Sequence, residues 1–118
     1  MVEVEISGGT LHLEVKGLDR LWAFRSSLAI PLSNVRGVRR DPEVARGWFK
    51  GFRAPGTHIP GVIVAGTFYQ DGKRVFWDVH HAENTLVIDL DDERYDQLIV
   101  EVAEPDAVAA RIGEAIAR

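Results

Sequence analysis

The sequence contains no cysteine. That absence excludes disulfides, thiolate nucleophiles, zinc–thiolate centres and iron–sulfur clusters, and it gives no sign of an oxidising compartment. Long hydrophobic runs are missing as well, and no stretch approaches the roughly 20 apolar residues that a membrane-spanning helix needs. The opening "MVEVEISGG" alternates acid with apolar residues and lacks the basic start and apolar centre of a secretion signal. A soluble, cytoplasmic protein with no integral membrane segment is expected. Chemical motifs are equally scarce. There is no HxH or HExxH spacing, no glycine-rich phosphate loop and no nucleophile elbow, so the sequence predicts no catalytic residue, no metal and no cofactor.

What is present fits one ordinary globular domain over residues 1 to 118. The chain is 46% hydrophobic and 27% charged, enough to bury a core without a covalent staple. Arginine supplies eleven of the fourteen basic residues, and Ala, Val and Gly abound, a composition that suggests a GC-rich bacterial genome. Charge is unevenly spread. Residues 1 to 15 are net −3, residues 16 to 53 net +6 and residues 54 to 118 net −7. Such asymmetry can guide an anionic partner or head-to-tail self-contact. In a homo-oligomer, Arg36, Arg39 and Arg40 would meet the acidic run Asp89, Asp91, Asp92 and Glu93 of a neighbour. The overall acidity, with a pI near 5.5, argues against nucleic acid.

Period-two alternation dominates. Val2, Val4 and Ile6 oppose Glu3 and Glu5, and after Ser7, Gly8 and Gly9 the alternation resumes at Leu11, Leu13 and Val15, which predicts a hairpin. "LDRLWAFR" reads as a helical turn, and "SLAIPLSNVRGV" as two strands interrupted at Pro31. In "DPEVARGWFKGF", Asp41 caps, Pro42 suits the first helical position and Glu43 complements the dipole, predicting a helix from about 42 to 49. "GVIVAGTFY" and "KRVFWDV" flank Gln70, Asp71 and Gly72 as a second hairpin. "TLVIDL" and "QLIVEV" add two strands, and the four-residue spacing of Val108, Ile112 and Ile116 after Pro105 predicts a closing amphipathic helix. Val4, Leu13, Trp77, Ile88, Val100 and Ile112 are expected in one core.

This order of elements fits a mainly β fold with a C-terminal α-helix: a pleckstrin-homology-like (PH-like) barrel of about seven antiparallel strands in two near-orthogonal sheets, capped by the helix. The segments "SSLAIPLSNVRGVRRDP", "AGTFYQDGKRVFWDVH", "LVIDLDDERYDQLIVEV" and "EPDAVAARI" resemble bacterial PH-like domain proteins, including actinobacterial members, over about residues 10 to 112. The resemblance implies a PH-type barrel without catalytic activity and a role in binding or self-assembly. It brings no ligand. Phosphoinositide-binding PH domains of eukaryotes use basic residues around the first hairpin loop, which here reads "SGGT".

A few polar residues point to a second possibility, a small-ligand protein or an enzyme. Asp78 and His80 share one strand face with Phe76, while Val75, Trp77 and Val79 take the other. A carboxylate beside an imidazole is a common device for orienting a ligand. Thr57 and His58 would join them if the loop "APGTHIPG", held by Pro55 and Pro60, folds over that hairpin. His80 and His81 are adjacent and in a strand would face opposite ways, which disfavours shared metal ligation. In "GWFKGFR", Trp48 and Phe52 lie four apart, a spacing suited to packing a helix on the sheets; Trp48 and Phe49 are also the apolar residues an assembly could bury.

Overall fold

The computed structural model describes residues 2–16, 27–51, 64–70 and 72–117. Strands β1 (Val2–Ser7) and β2 (Thr10–Val15) form the predicted hairpin, with Val4 opposite Leu13 and Ile6 opposite Leu11. Gly8 and Gly9 turn it at φ +57° and +76°, values that a Cβ would make costly. Strand β3 (Ser27–Pro31) pairs with β2 and completes a three-stranded antiparallel sheet, order β1-β2-β3. The interruption read at Pro31 is a change of sheet. A 3-10 turn at Leu32–Asn34 carries the chain from β3 to β4 (Val35–Arg40) in the second sheet.

Helix α1 (Pro42–Gly51) begins as its sequence dictates, with Asp41 Oδ1 accepting the Val44 N–H at 3.3 Å and Pro42 in first position. The remaining elements are β5 (Val64–Gln70), β6 (Lys73–Val79), a 3-10 turn at Ala82–Asn84, β7 (Thr85–Leu90), β8 (Gln97–Glu101) and α2 (Pro105–Ala117). The "LDRLWAFR" segment lies outside the described residues.

The second sheet has five strands in the order β4-β7-β8-β6-β5. Three expectations change here. Eight strands are present among the described residues rather than about seven. They pair within two separate sheets and do not close into a barrel. They are also not all antiparallel, because β6 and β8 run parallel, with Trp77 opposite Ile99. The cause is topological. After β6 the chain crosses to place β7 beside β4, and β8 turns back from β7 into the slot left next to β6.

The central strands of the larger sheet, β6, β7 and β8, are buried on both faces. One face meets the smaller sheet and α2 in a cluster that includes Leu11, Leu13, Phe76, Ile88, Leu98, Val100 and Ile112, with half-buried Val4 packed against it. The other face meets α1, where Ala45 packs with Val75, Trp77, Val79, Val87 and Ile99. Trp77 therefore sits in a second core, separate from the other residues expected beside it. The strand "KRVFWDV" is apolar on both sides, and removing each large side chain from water contributes about 1.5–3 kcal/mol wherever a cover exists. Two covers exist.

Candidate functional site

Glu101 is the buried ionic centre that composition and motif did not flag. Along β8, Leu98 and Val100 turn to the core between the sheets, which leaves Ile99 and Glu101 on the α1 side. Glu101 is only 1% exposed. Its Oε1 accepts the backbone N–H groups of His80 at 2.6 Å and His81 at 2.9 Å, and its Oε2 lies 3.1 Å from His81 Nδ1. Burial on its own would raise the carboxyl's pKa. The backbone N–H groups of His81 and His80, helped by the His81 ring, outweigh that and hold it below its ordinary value of 4.5. Because β6 ends at Val79, the two imidazoles escape strand alternation and stack with centroids 6.2 Å apart. The His81 side chain is 67% exposed, so this corner presents an imidazole to solvent above a buried carboxylate.

The polar residues singled out from sequence fare differently. Thr57 and His58 lie outside the described residues. Asp78 keeps the predicted face with Phe76, opposite Val100 on β8 and Ala65 on β5, and has no solvent exposure. His80 is half-buried just past the strand end, tied through its backbone to Glu101. Among the described residues, a carboxylate–imidazole contact at this end of β6 joins Glu101 to His81. A lone acid in the apolar strand "QLIVEV" was the available signal, since a carboxylate placed there needs donors.

The arginine-rich and acidic segments meet inside one molecule. β4 and β7 are antiparallel neighbours with Val35 opposite Leu90 and Val38 opposite Ile88, so their charged residues fall side by side. Arg39 Nη1 lies 2.9 Å from Asp89, its Nε 3.4 Å from Asp41, and Arg36 lies 3.8 Å from Asp91. Arg40 donates from Nε and Nη2 to the Glu83 carbonyl at 3.0 and 2.7 Å and reaches Asp106 in the first turn of α2 at 3.3 Å. Glu93 accepts a hydrogen bond from Asn34 at 2.5 Å, and Asp92 is exposed in the turn between β7 and β8 at φ +57°. These charges are arranged to hold strands, turns and α2 together. Of the groups in the pairing with a neighbour that sequence suggested, Arg36, Arg39, Arg40, Asp89, Asp91 and Glu93 already have partners within the molecule.

Among the described residues, open hollows interrupt the surface. One, of about 600 Å³, overlies the outer face of the smaller sheet among Glu3, Glu5, His12, Glu14 and Ala29. Another, of about 570 Å³, lies at the charged end of the larger sheet beside Arg36, Arg39, Lys73, Asp89 and Asp96. Among the described residues, no group of three or more His, Asp or Glu side chains is placed to hold a metal ion, and no helix is long and apolar enough to cross a membrane. No family model, curated protein or solved structure matches the chain.

Proposed function

We propose that the chain is a PH-like, non-catalytic module whose task is surface contact, either binding a partner or assembling with copies of itself. The observation that supports this reading is the use made of its ionisable groups. Glu101 fastens the His80–His81 corner, Arg39 bridges Asp89 and Asp41, and Arg40 stitches β4 to a turn and to α2. A reaction centre instead aims such groups at a space where a reacting atom can sit. Of the architecture that the sequence resemblance implies, two sheets and a C-terminal helix are present, while the open sheets and the parallel β6–β8 pair depart from it.

The test is amide and imidazole NMR on the labelled protein, first through dilution and then against a library of small polar molecules. The reading expects concentration-dependent shifts on surface strands and no saturable response at Thr57, His58 or His80. Saturable shifts centred on those three residues would replace it with a small-ligand site.

A further inference from the structure

Among the described residues four strands lie at sheet edges: β1 and β3 in the smaller sheet, β4 and β5 in the larger. An edge is a row of N–H and C=O groups that pairs with another strand unless charge, proline or a bulge blunts it. Strand β1 carries Glu3 and Glu5, and β3 ends in Pro31. Strand β4 combines three arginines with a register shift between Val35 and Gly37. Strand β5, "VAGTFYQ", has none of these devices, and no Asp, Glu, Lys or Arg occurs anywhere from residue 54 to residue 70. It pairs with β6 in unbroken register along its full length, and among the described residues no strand occupies its other side. Tyr69, on this strand, is 74% exposed.

From this contrast we infer that β5 is an assembly edge, pairing antiparallel with β5 of a second copy about a two-fold axis at Thr67. The inference rests on the contact-module reading and names its partner. The strand itself carries no charge to steer a charged peptide, the nearby Arg74 of β6 being held over the Tyr69 ring at 5.7 Å, whereas identical uncharged strands pair without opposing like charges. Residue types also complement themselves in that register. Gly66 falls opposite Phe68 and Ala65 opposite Tyr69, setting the two aromatic positions against the two smallest, and Thr67 falls opposite itself, a favourable cross-strand pair. The two five-stranded sheets would join into one whose outer edges are both the blunted β4, so growth ends at the dimer.

The lack of cysteine makes the test clean. In a directly opposed antiparallel pair the Cα atoms are about 4.5–5.5 Å apart, a spacing that a disulfide spans. Thr67 is exposed, and its Oγ1 contacts the Tyr95 hydroxyl at 3.1 Å, so circular dichroism accompanies each variant. Sedimentation of the wild type from low to high micromolar concentration, in low and in molar salt, is combined with oxidation of Thr67→Cys and, as the control edge, Arg36→Cys. The expected result is a dimer at both salts, near-complete covalent dimer from Thr67→Cys, none from Arg36→Cys, and a folded monomer from Thr67→Lys. If Thr67→Cys does not fold, mixing Ala65→Cys with Tyr69→Cys tests the same register through a mixed disulfide. An oligomer that links through residue 36, or that dissolves in molar salt, overturns the β5 edge and leaves the contact-module reading standing. A monomer under every condition overturns the edge and removes self-assembly from that reading.

Discussion

Glu101 and His81 meet across the end of the larger sheet, Oε2 to Nδ1 at 3.1 Å, while the other carboxylate oxygen gathers two successive backbone N–H groups. A 21-residue sequence separation is thereby closed on one buried charge. Glu101→Gln keeps the shape and removes the charge. Charge-assisted hydrogen bonds are worth about 1.5–3 kcal/mol, and a loss of that order is expected in urea unfolding at neutral pH. The folded pKa is depressed, so the carboxylate's contribution is complete above 4.5 and is lost as pH falls through the folded value. The gap between wild type and variant should hold at neutral pH and close on strong acidification. A gap that widens in acid would contradict the assignment.

Directly opposite Glu101 in the ladder is Thr85, whose buried Oγ1 finds no hydrogen-bond partner among the described residues. A hydroxyl stranded in this way costs free energy that a methyl group of similar size does not. Thr85→Val is expected to raise stability by up to about 1 kcal/mol, read from thermal melts. A clear loss of stability would mean that the hydroxyl is satisfied in solution.

Ile112 has no exposed surface and joins α2 to the core between the sheets, while Ile116, one turn later, is half-buried. Ile112→Ala should cost about 2–5 kcal/mol, and Ile116→Ala distinctly less. Equal costs in urea titrations would place the two residues in equivalent surroundings and contradict the packing of α2.

Glu3 stands directly across from Glu14 on the outer face of the smaller sheet, an unfavourable like-charge pair. Lys16 reaches both, at 3.6 and 3.2 Å, and hydrogen bonding and attraction to Glu14, with attraction to Glu3, raise its pKa. Lys16→Met should lower the melting temperature in dilute buffer and have little effect in concentrated salt, since exposed charges are screened. A deficit that persists in salt would indicate lost packing of the lysine stem.

Local signals were legible in the sequence wherever neighbours in the chain became neighbours in space. The β1–β2 register follows from alternation around two glycines, and the start of α1 follows from Asp41, Pro42 and Glu43. The faces of β6 were also legible, with Phe76 and Trp77 on opposite sides. Alternation says which residues share a face and nothing about which strand lies alongside, so the parallel pairing of Trp77 with Ile99 was invisible. The second core had a signal in the doubly apolar β6, yet a cover for it came from α1, far away in sequence. The candidate site was legible least. Asp78 met the expected strand face, while Glu101, a carboxylate that reaches His81, came from β8, brought there by the same pairing.

Strand β8 fills the middle of the larger sheet although it follows that sheet's other four strands in the chain. A ribosome that has delivered residues 2 to 96 has delivered β4, β7, β5 and β6 as separate pairs with a strand-wide gap between β7 and β6. Both flanks of the gap are apolar and rich in unpaired amides, a condition prone to association with other chains. The gap closes only when Gln97–Glu101 has left the exit tunnel and folded back along β7. Synthesis and folding of the larger sheet are therefore nearly sequential, and nascent chains stalled before residue 97 are the ones expected to engage chaperones or be degraded.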